Sequence, residues 1–302
     1  MAGRRRKKSG GRSYAWRYRG RIVACVFVEV IIICALVIMI GWNKGVKEWF
    51  EQFEQPVLKE VDISGINSPN AILMQARGGK ILGEINGEAQ IYPASMTKIM
   101  TVILGIENFD DLDEKITLTN EMFSGLYEQD ATQAGFQPGE EVRVIDLLYG
   151  AMLPSGAECC IALADTISGS EADFAELMNK KAGKLGMENT HFCDSTGLHN
   201  PDHYSTVKDI AVLMKYCIKN DTFREIVETS RHSTGVTNIH PDGITYYSTM
   251  FKNLSDPTVT GGKILGGKTG YTSEAGHCLV SFAEIEGREY IFAVSYTHLT
   301  LP

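Results

Sequence analysis

The longest apolar run in the chain is residues 22–42, 21 positions broken only by Glu29. That length crosses a bilayer. Residues 43–60 mix Trp49, Phe50 and Phe53 with Lys and Glu and read as a juxtamembrane stalk. Segments at 71–76 and 80–85, joined across Gly78-Gly79, predict a β-hairpin. Next comes a stretch that is apolar nearly all round, with Ile99, Met100, Val102, Ile103, Leu104 and Ile106. It predicts a buried helix. Residues 119–229 read as mostly helical, with apolar positions at helical spacing over 142–153, 158–167, 171–185, 206–219 and 222–229. Strands return near 264–269, 277–285 and 289–295. Strands, a helical block and strands again predict an α+β domain with one antiparallel sheet. A cleft between sheet and helical block is the expected site.

Charge changes this picture at the N-terminus. Nine basic and no acidic residues precede Ile22, namely Arg4, Arg5, Arg6, Lys7, Lys8, Arg12, Arg17, Arg19 and Arg21. The positive-inside rule puts that end in the cytoplasm and everything after 42 outside. No small-x-small cleavage site follows the run, so it reads as an uncleaved signal anchor. The rest of the chain holds 20 basic against 37 acidic side chains, a net of about −17. This argues against a nucleic-acid partner. Outside the span lie five cysteines, Cys159, Cys160, Cys193, Cys217 and Cys278. Neighbouring Cα atoms about 3.8 Å apart are too close to bridge in a helix, so these read as small core residues.

The candidate chemistry rests on two short motifs. Ser95-Met96-Thr97-Lys98 puts a serine and a lysine on one face of a helix. Burial there disfavours a charged lysine unless it is paired or neutral. Far downstream, Lys268-Thr269-Gly270 on a strand offers a second cation, a hydroxyl and a close backbone approach. Together they are the parts of a serine acyl-transfer site with lysine as base. A bare S-x-x-K arises about once by chance in a chain this long, and Ser205-Thr206-Val207-Lys208 is the decoy. Thr206 followed by Asp209 reads instead as a helix start. A zinc alternative finds no H-E-x-x-H. His199 and His203 flank Asn200-Pro201-Asp202, which reads as a polar loop. No metal or other cofactor is expected.

Between the two motifs stands Leu153-Pro154-Ser155-Gly156-Ala157-Glu158, flanked later by Asp194-Ser195-Thr196-Gly197-Leu198, His203-Tyr204-Ser205-Thr206 and Ala275-Gly276-His277-Cys278-Leu279. In this order the segments resemble the low-molecular-mass penicillin-binding proteins of the serine D-Ala-D-Ala carboxypeptidase family. The similarity runs from about residue 70 to 294. That family carries S-x-N where this chain has Ser155 and Ala157. The resemblance implies a β-lactamase/penicillin-binding-protein-like transpeptidase fold, with Ser95 as nucleophile, Lys98 as base and Ser155 as proton relay. It further implies Lys268, Thr269, Gly270 and Tyr271 around the substrate, with the N–H groups of Ser95 and Tyr271 as oxyanion donors. A Lys268 cation would help to lower the Lys98 pKa. The expected partners are the peptidoglycan pentapeptide and β-lactam antibiotics, and the membrane through the N-terminal helix.

The expected organisation is a basic tail at 1–21, an anchor at 22–42, a linker at 43–66 and the catalytic domain at 67–302, its C-terminal end read as truncated. A catalytically weak penicillin-binding protein and a β-lactamase of the same fold are alternatives. A general serine esterase shares S-x-x-K but gives no reason for Lys-Thr-Gly.

Overall fold

The computed structural model describes residues 59–254 and 256–297. The predicted hairpin is β1 (Asn70–Gln75) and β2 (Ile81–Ile85), turning over Gly78 and Gly79, both at positive φ. Glycine takes that backbone without a Cβ clash. The next element differs from expectation. Ser95 and Lys98 do not share one α-helix. A 3-10 turn, Ala94–Thr97, carries the serine, and α1 (Lys98–Asn108) begins at the lysine. Ala94 at φ 47° takes the backbone out of α geometry just before the serine.

Helix is also delayed downstream. After β3 (Lys115–Thr117) the chain stays irregular apart from a 3-10 turn at Glu121–Phe123, and β4 (Glu141–Arg143) pairs back on β3. Gly125, Gly135 and Gly139 hold positive φ in this stretch, which an α-helix cannot accommodate. The helical block is therefore α2 (Val144–Met152), α3 (Ala157–Ser168), α4 (Glu171–Leu185), α5 (Val207–Cys217) and α6 (Asp221–Glu228). The Thr206 hydroxyl accepts from the Asp209 N–H and caps α5, as its sequence suggested. The decoy Lys208 pairs with Glu88 instead.

A second small hairpin, β5 (Arg231–Ser233) with β6 (Thr245–Tyr247), precedes the short α7 (Thr249–Lys252). Then come β7 (Thr258–Val259), β8 (Gly262–Thr272), β9 (Gly276–Ile285) and β10 (Arg288–Thr297). The main sheet is antiparallel in the order β2-β1-β10-β9-β8-β7.

One face of that sheet, with Ile72, Met74, Val280, Phe282, Ile291 and Ala293, packs on the helical block around α1. Ile99, Met100, Val102 and Ile103 are fully buried, and truncating such a side chain costs about 2–5 kcal/mol. The lysine that opens α1 therefore stands on a rigid base. A smaller apolar cluster unites Ile63, Ala71 and Val294. Val61 donates to the Leu82 carbonyl at 2.6 Å, so the described end of the predicted 43–66 linker lies along β2. The predicted anchor at 22–42 lies outside the described residues. Among the described residues no helix is long and apolar enough to cross a membrane.

Candidate active site

Ser95 is half-buried at the head of α1. Lys98 Nζ lies 3.1 Å from Ser95 Oγ and donates to the Thr196 carbonyl at 2.7 Å. Only 3% of Lys98 is exposed. Burial drives its pKa below the ordinary lysine value, and nearby Asp194 and Glu158 pull weakly the other way. A lysine poised to lose its proton beside a serine hydroxyl is the arrangement a base needs.

Asp194 holds the loop that offers this carbonyl. Its Oδ1 accepts from the N–H groups of Thr196 and Gly197 and from the Thr196 hydroxyl. Gly197 sits so close beneath Ala94 that a Cβ there would fall 1.9 Å from the Ala94 carbonyl oxygen.

The facing wall starts where α2 ends. Ser155 is buried and holds φ at 75°, left-handed for a non-glycine residue. Such a conformation costs on the order of 1–3 kcal/mol and persists where its surroundings enforce it. Its Oγ accepts from Lys268 Nζ at 2.9 Å. Ala157 opens α3 and lines the same cavity as Ser95 and Lys98. Its neighbour Glu158 points elsewhere, to the N–H groups of Ala134 and Gly135. Burial pushes the Glu158 carboxyl up, against those hydrogen bonds. Glu158 thus braces the 130–136 loop and does not replace an asparagine.

β8 closes the site. Lys268 is 1% exposed and donates also to the Thr269 carbonyl. Burial, then the repulsion of Lys98, hold its pKa well below the ordinary value. The repulsion between the two lysines is mutual and disfavours charging both at once. The Thr269 hydroxyl meets Thr249 Oγ1 at 2.7 Å. A Cβ at Gly270 would come within 3.1 Å of Pro93, Ala94 and the Ser95 nitrogen, so glycine lets β8 run close to the serine without displacing that turn. Tyr271 is exposed and packs its ring beside His277.

These residues line two connected hollows. One, about 570 Å³, holds Ser95, Ser155, Thr249, Asn253 and Thr269. The other, about 410 Å³, holds Ser95, Lys98, Ala157, Thr196 and Glu274. Ser95, Asp130, Thr132 and Tyr271 border both. Six of the seven residues singled out in sequence thus border these hollows, and the seventh, Lys268, lies behind Ser155 and donates to it. Sequence reasoning missed Thr249, the Thr196 carbonyl and the Asp194–His203 pair. Thr196, Asp194 and His203 stood within the flanks Asp194–Leu198 and His203–Thr206, whereas Thr249 left no signal.

The sequence profile described as D-alanyl-D-alanine carboxypeptidase (Peptidase_S11) matches residues 57–296. DacF of Bacillus subtilis, named a D-alanyl-D-alanine carboxypeptidase, is 35% identical over 217 residues, covering 71% of this chain and 54% of its own. A D-alanyl-D-alanine carboxypeptidase of Streptomyces sp. K15 is 35% identical over 216 residues, covering 69% and 73%. The chain thus spans about half of the first relative and nearly three quarters of the second. The crystal structure of the Streptomyces K15 DD-transpeptidase superposes with a TM-score of 0.70 at 30% identity, over 78% of this chain and 92% of that one. A D-alanyl-D-alanine carboxypeptidase from Mycobacterium tuberculosis, at 22% identity and a TM-score of 0.70, shares the fold, over 80% and 87% of the two chains.

Proposed function

This chain belongs to the D-alanyl-D-alanine carboxypeptidase family, and on that premise we propose that it removes the terminal D-alanine from peptidoglycan stem peptides through an acyl-enzyme on Ser95. The observation that carries the reading is the buried Lys98 amine 3.1 Å from Ser95 Oγ, with its pKa lowered by burial. Neutral Lys98 takes the hydroxyl proton as Ser95 Oγ attacks the carbonyl between the two D-alanines. The N–H groups of Ser95 and Tyr271 receive the developing oxyanion, a contribution of about 3 kcal/mol per donor. Ser155, hydrogen-bonded to Lys268, relays to the departing nitrogen the proton that Lys98 took up, so that Lys98 is neutral again as the C–N bond breaks and D-alanine leaves. Water then hydrolyses the ester and restores Ser95. Lys268 and Thr269 hold the free carboxylate of the substrate, which accounts for cutting at a C-terminus. A β-lactam presents a similar carboxylate and carbonyl and acylates the same serine.

Ala157 favours a second reading, a penicillin-binding protein of feeble turnover. Alanine can neither donate to nor accept from a substrate amide, and each such bond is worth about 1 kcal/mol. Incubation with a fluorescent penicillin and with a peptide ending in D-Ala-D-Ala separates the two. Labelling with D-alanine release supports the carboxypeptidase. Labelling alone supports the binding protein, and rapid penicillin turnover supports a β-lactamase.

The same reading places the domain outside the cytoplasmic membrane, held by residues 22–42. The apolar run and its nine basic neighbours support this topology. Protease added to intact spheroplasts should remove the domain and spare the first twenty-odd residues. Digestion only after lysis would invert the topology.

A further inference from the structure

Behind the nucleophile lies a polar pair, a buried histidine and a half-buried aspartate, that the proposed chemistry does not use. His203 is 2% exposed. Its Nδ1 lies 3.1 Å from Asp194 Oδ2 and 3.2 Å from the Cys193 nitrogen, and its Nε2 lies 2.9 Å from Thr97 Oγ1. Thr97 is fully buried and ends the turn that carries Ser95. The other oxygen of Asp194 holds the N–H groups of Thr196 and Gly197, and the Thr196 carbonyl accepts from Lys98. One carboxylate is therefore tied through an imidazole to the nucleophile turn, and directly to the loop that orients the lysine.

We infer that Asp194 and His203 are positioning residues that lock the Ser95 turn to the Thr196 loop and so set the Ser95–Lys98 hydrogen bond. The inference rests on the reading of Ser95 as nucleophile. A carboxylate is the stronger of the two partners facing Nδ1, since hydrogen bonds to an ionised group are about twice as strong as neutral ones. Nδ1 therefore carries the proton, and Nε2 accepts from the Thr97 hydroxyl. The low Asp194 pKa, about 2, agrees with a carboxylate that stays ionised. Freed from this tie, the turn keeps its fold but lets Ser95 Oγ and Lys98 Nζ drift apart. A displacement of a few tenths of an ångström is felt in the rate and not in the initial binding of substrate.

The test separates the rate constant of penicillin acylation from the dissociation constant of the complex that precedes it. Thr97→Val keeps the shape and removes the hydroxyl, so it reports on the tie without unfolding the turn. It should slow acylation on the order of tenfold, the worth of one hydrogen bond, with the dissociation constant unchanged. His203→Ala should do the same, and His203→Gln, whose amide still reaches Thr97, should recover part of the loss. The double variant Thr97→Val/His203→Ala should be no slower than the worse single one, because coupled groups are not additive. In the ¹⁵N spectrum the His203 proton should sit on Nδ1, moving to Nε2 in Asp194→Asn. An unchanged acylation rate in Thr97→Val overturns the inference, as do additive losses or a proton on Nε2 in the unsubstituted protein. Ser95→Ala is the control for the underlying reading. Labelling that survives it removes the nucleophile itself, whereas silent Ser95→Ala with a normal Thr97→Val removes only the positioning role.

Discussion

The two walls of the cleft are built to different standards. On the α1 wall the buried side chains are tied to fixed partners: Lys98 meets Ser95 and Thr196, and Thr97 meets His203. On the α3 wall a left-handed Ser155 meets Lys268, and the next side chain to face the cavity is Ala157. On the proposed mechanism the first wall carries the means of acylation, and the second grips the peptide and hands a proton to its leaving group. The difference makes covalent capture and peptide turnover separable on that proposal, with Ala157 expected to weaken the second more than the first.

Lys98→Arg should produce the largest effect. Arginine keeps the charge and cannot deprotonate, so acylation should fall about 10²–10⁴-fold, the usual contribution of general base catalysis. A melting temperature near that of the parent, measured alongside, attributes the loss to chemistry. Near-normal acylation at neutral pH would erase the contrast between the walls, because the proton would then go elsewhere.

Acid titration tests how tightly the first wall is tied. Burial raises the Asp194 pKa, but the bonds from His203, Thr196 and Gly197 outweigh it and hold the carboxyl at about 2, against 3.8 unperturbed. Its folded pKa is thus depressed. The stability it adds, about 2 kcal/mol, is fully present above the unfolded pKa and is lost as pH falls from about 4 towards 2. Denaturant melts across that range should show the loss in the parent and not in Asp194→Asn. Equal pH slopes would mean that the wall is held by something else.

Ser155 sharpens the comparison from the other side. Ser155→Ala and Ser155→Gly both remove the hydroxyl, but only glycine relieves the left-handed backbone. The glycine variant should be more stable by about 1 kcal/mol, with both equally slow in peptide turnover. Equal stability would show that the conformation carries no strain.

The smallest effect is expected at Ala157. Ala157→Asn should raise the rate of D-alanine release a few-fold, one hydrogen bond's worth, with little change in penicillin labelling. If it lowers both, the pocket has been rebuilt around a small residue.

Much of this was legible in the chain. The five long strands of the sheet and the buried helix announced themselves by their apolar patterns, the Ser95 and Lys268 motifs by order and spacing, and Ser155 through the family resemblance. Helix was over-read in the stretch before α2, where positive-φ glycines break the pattern that its apolar residues suggest. The 3-10 turn under Ser95 was hidden because Ala94 adopts a backbone that its residue type does not signal. The Asp194–His203–Thr97 tie joins residues about a hundred positions apart, and no local pattern encodes such a contact. Thr249 was silent for the same reason, since its partner Thr269 comes from another element.

The most direct test is to trap the acyl-enzyme with penicillin, digest it and locate the adduct by mass spectrometry. The account predicts one modified peptide bearing the penicilloyl group on Ser95, absent after Ser95→Ala. An adduct on Ser205, or labelling that persists in Ser95→Ala, would contradict it.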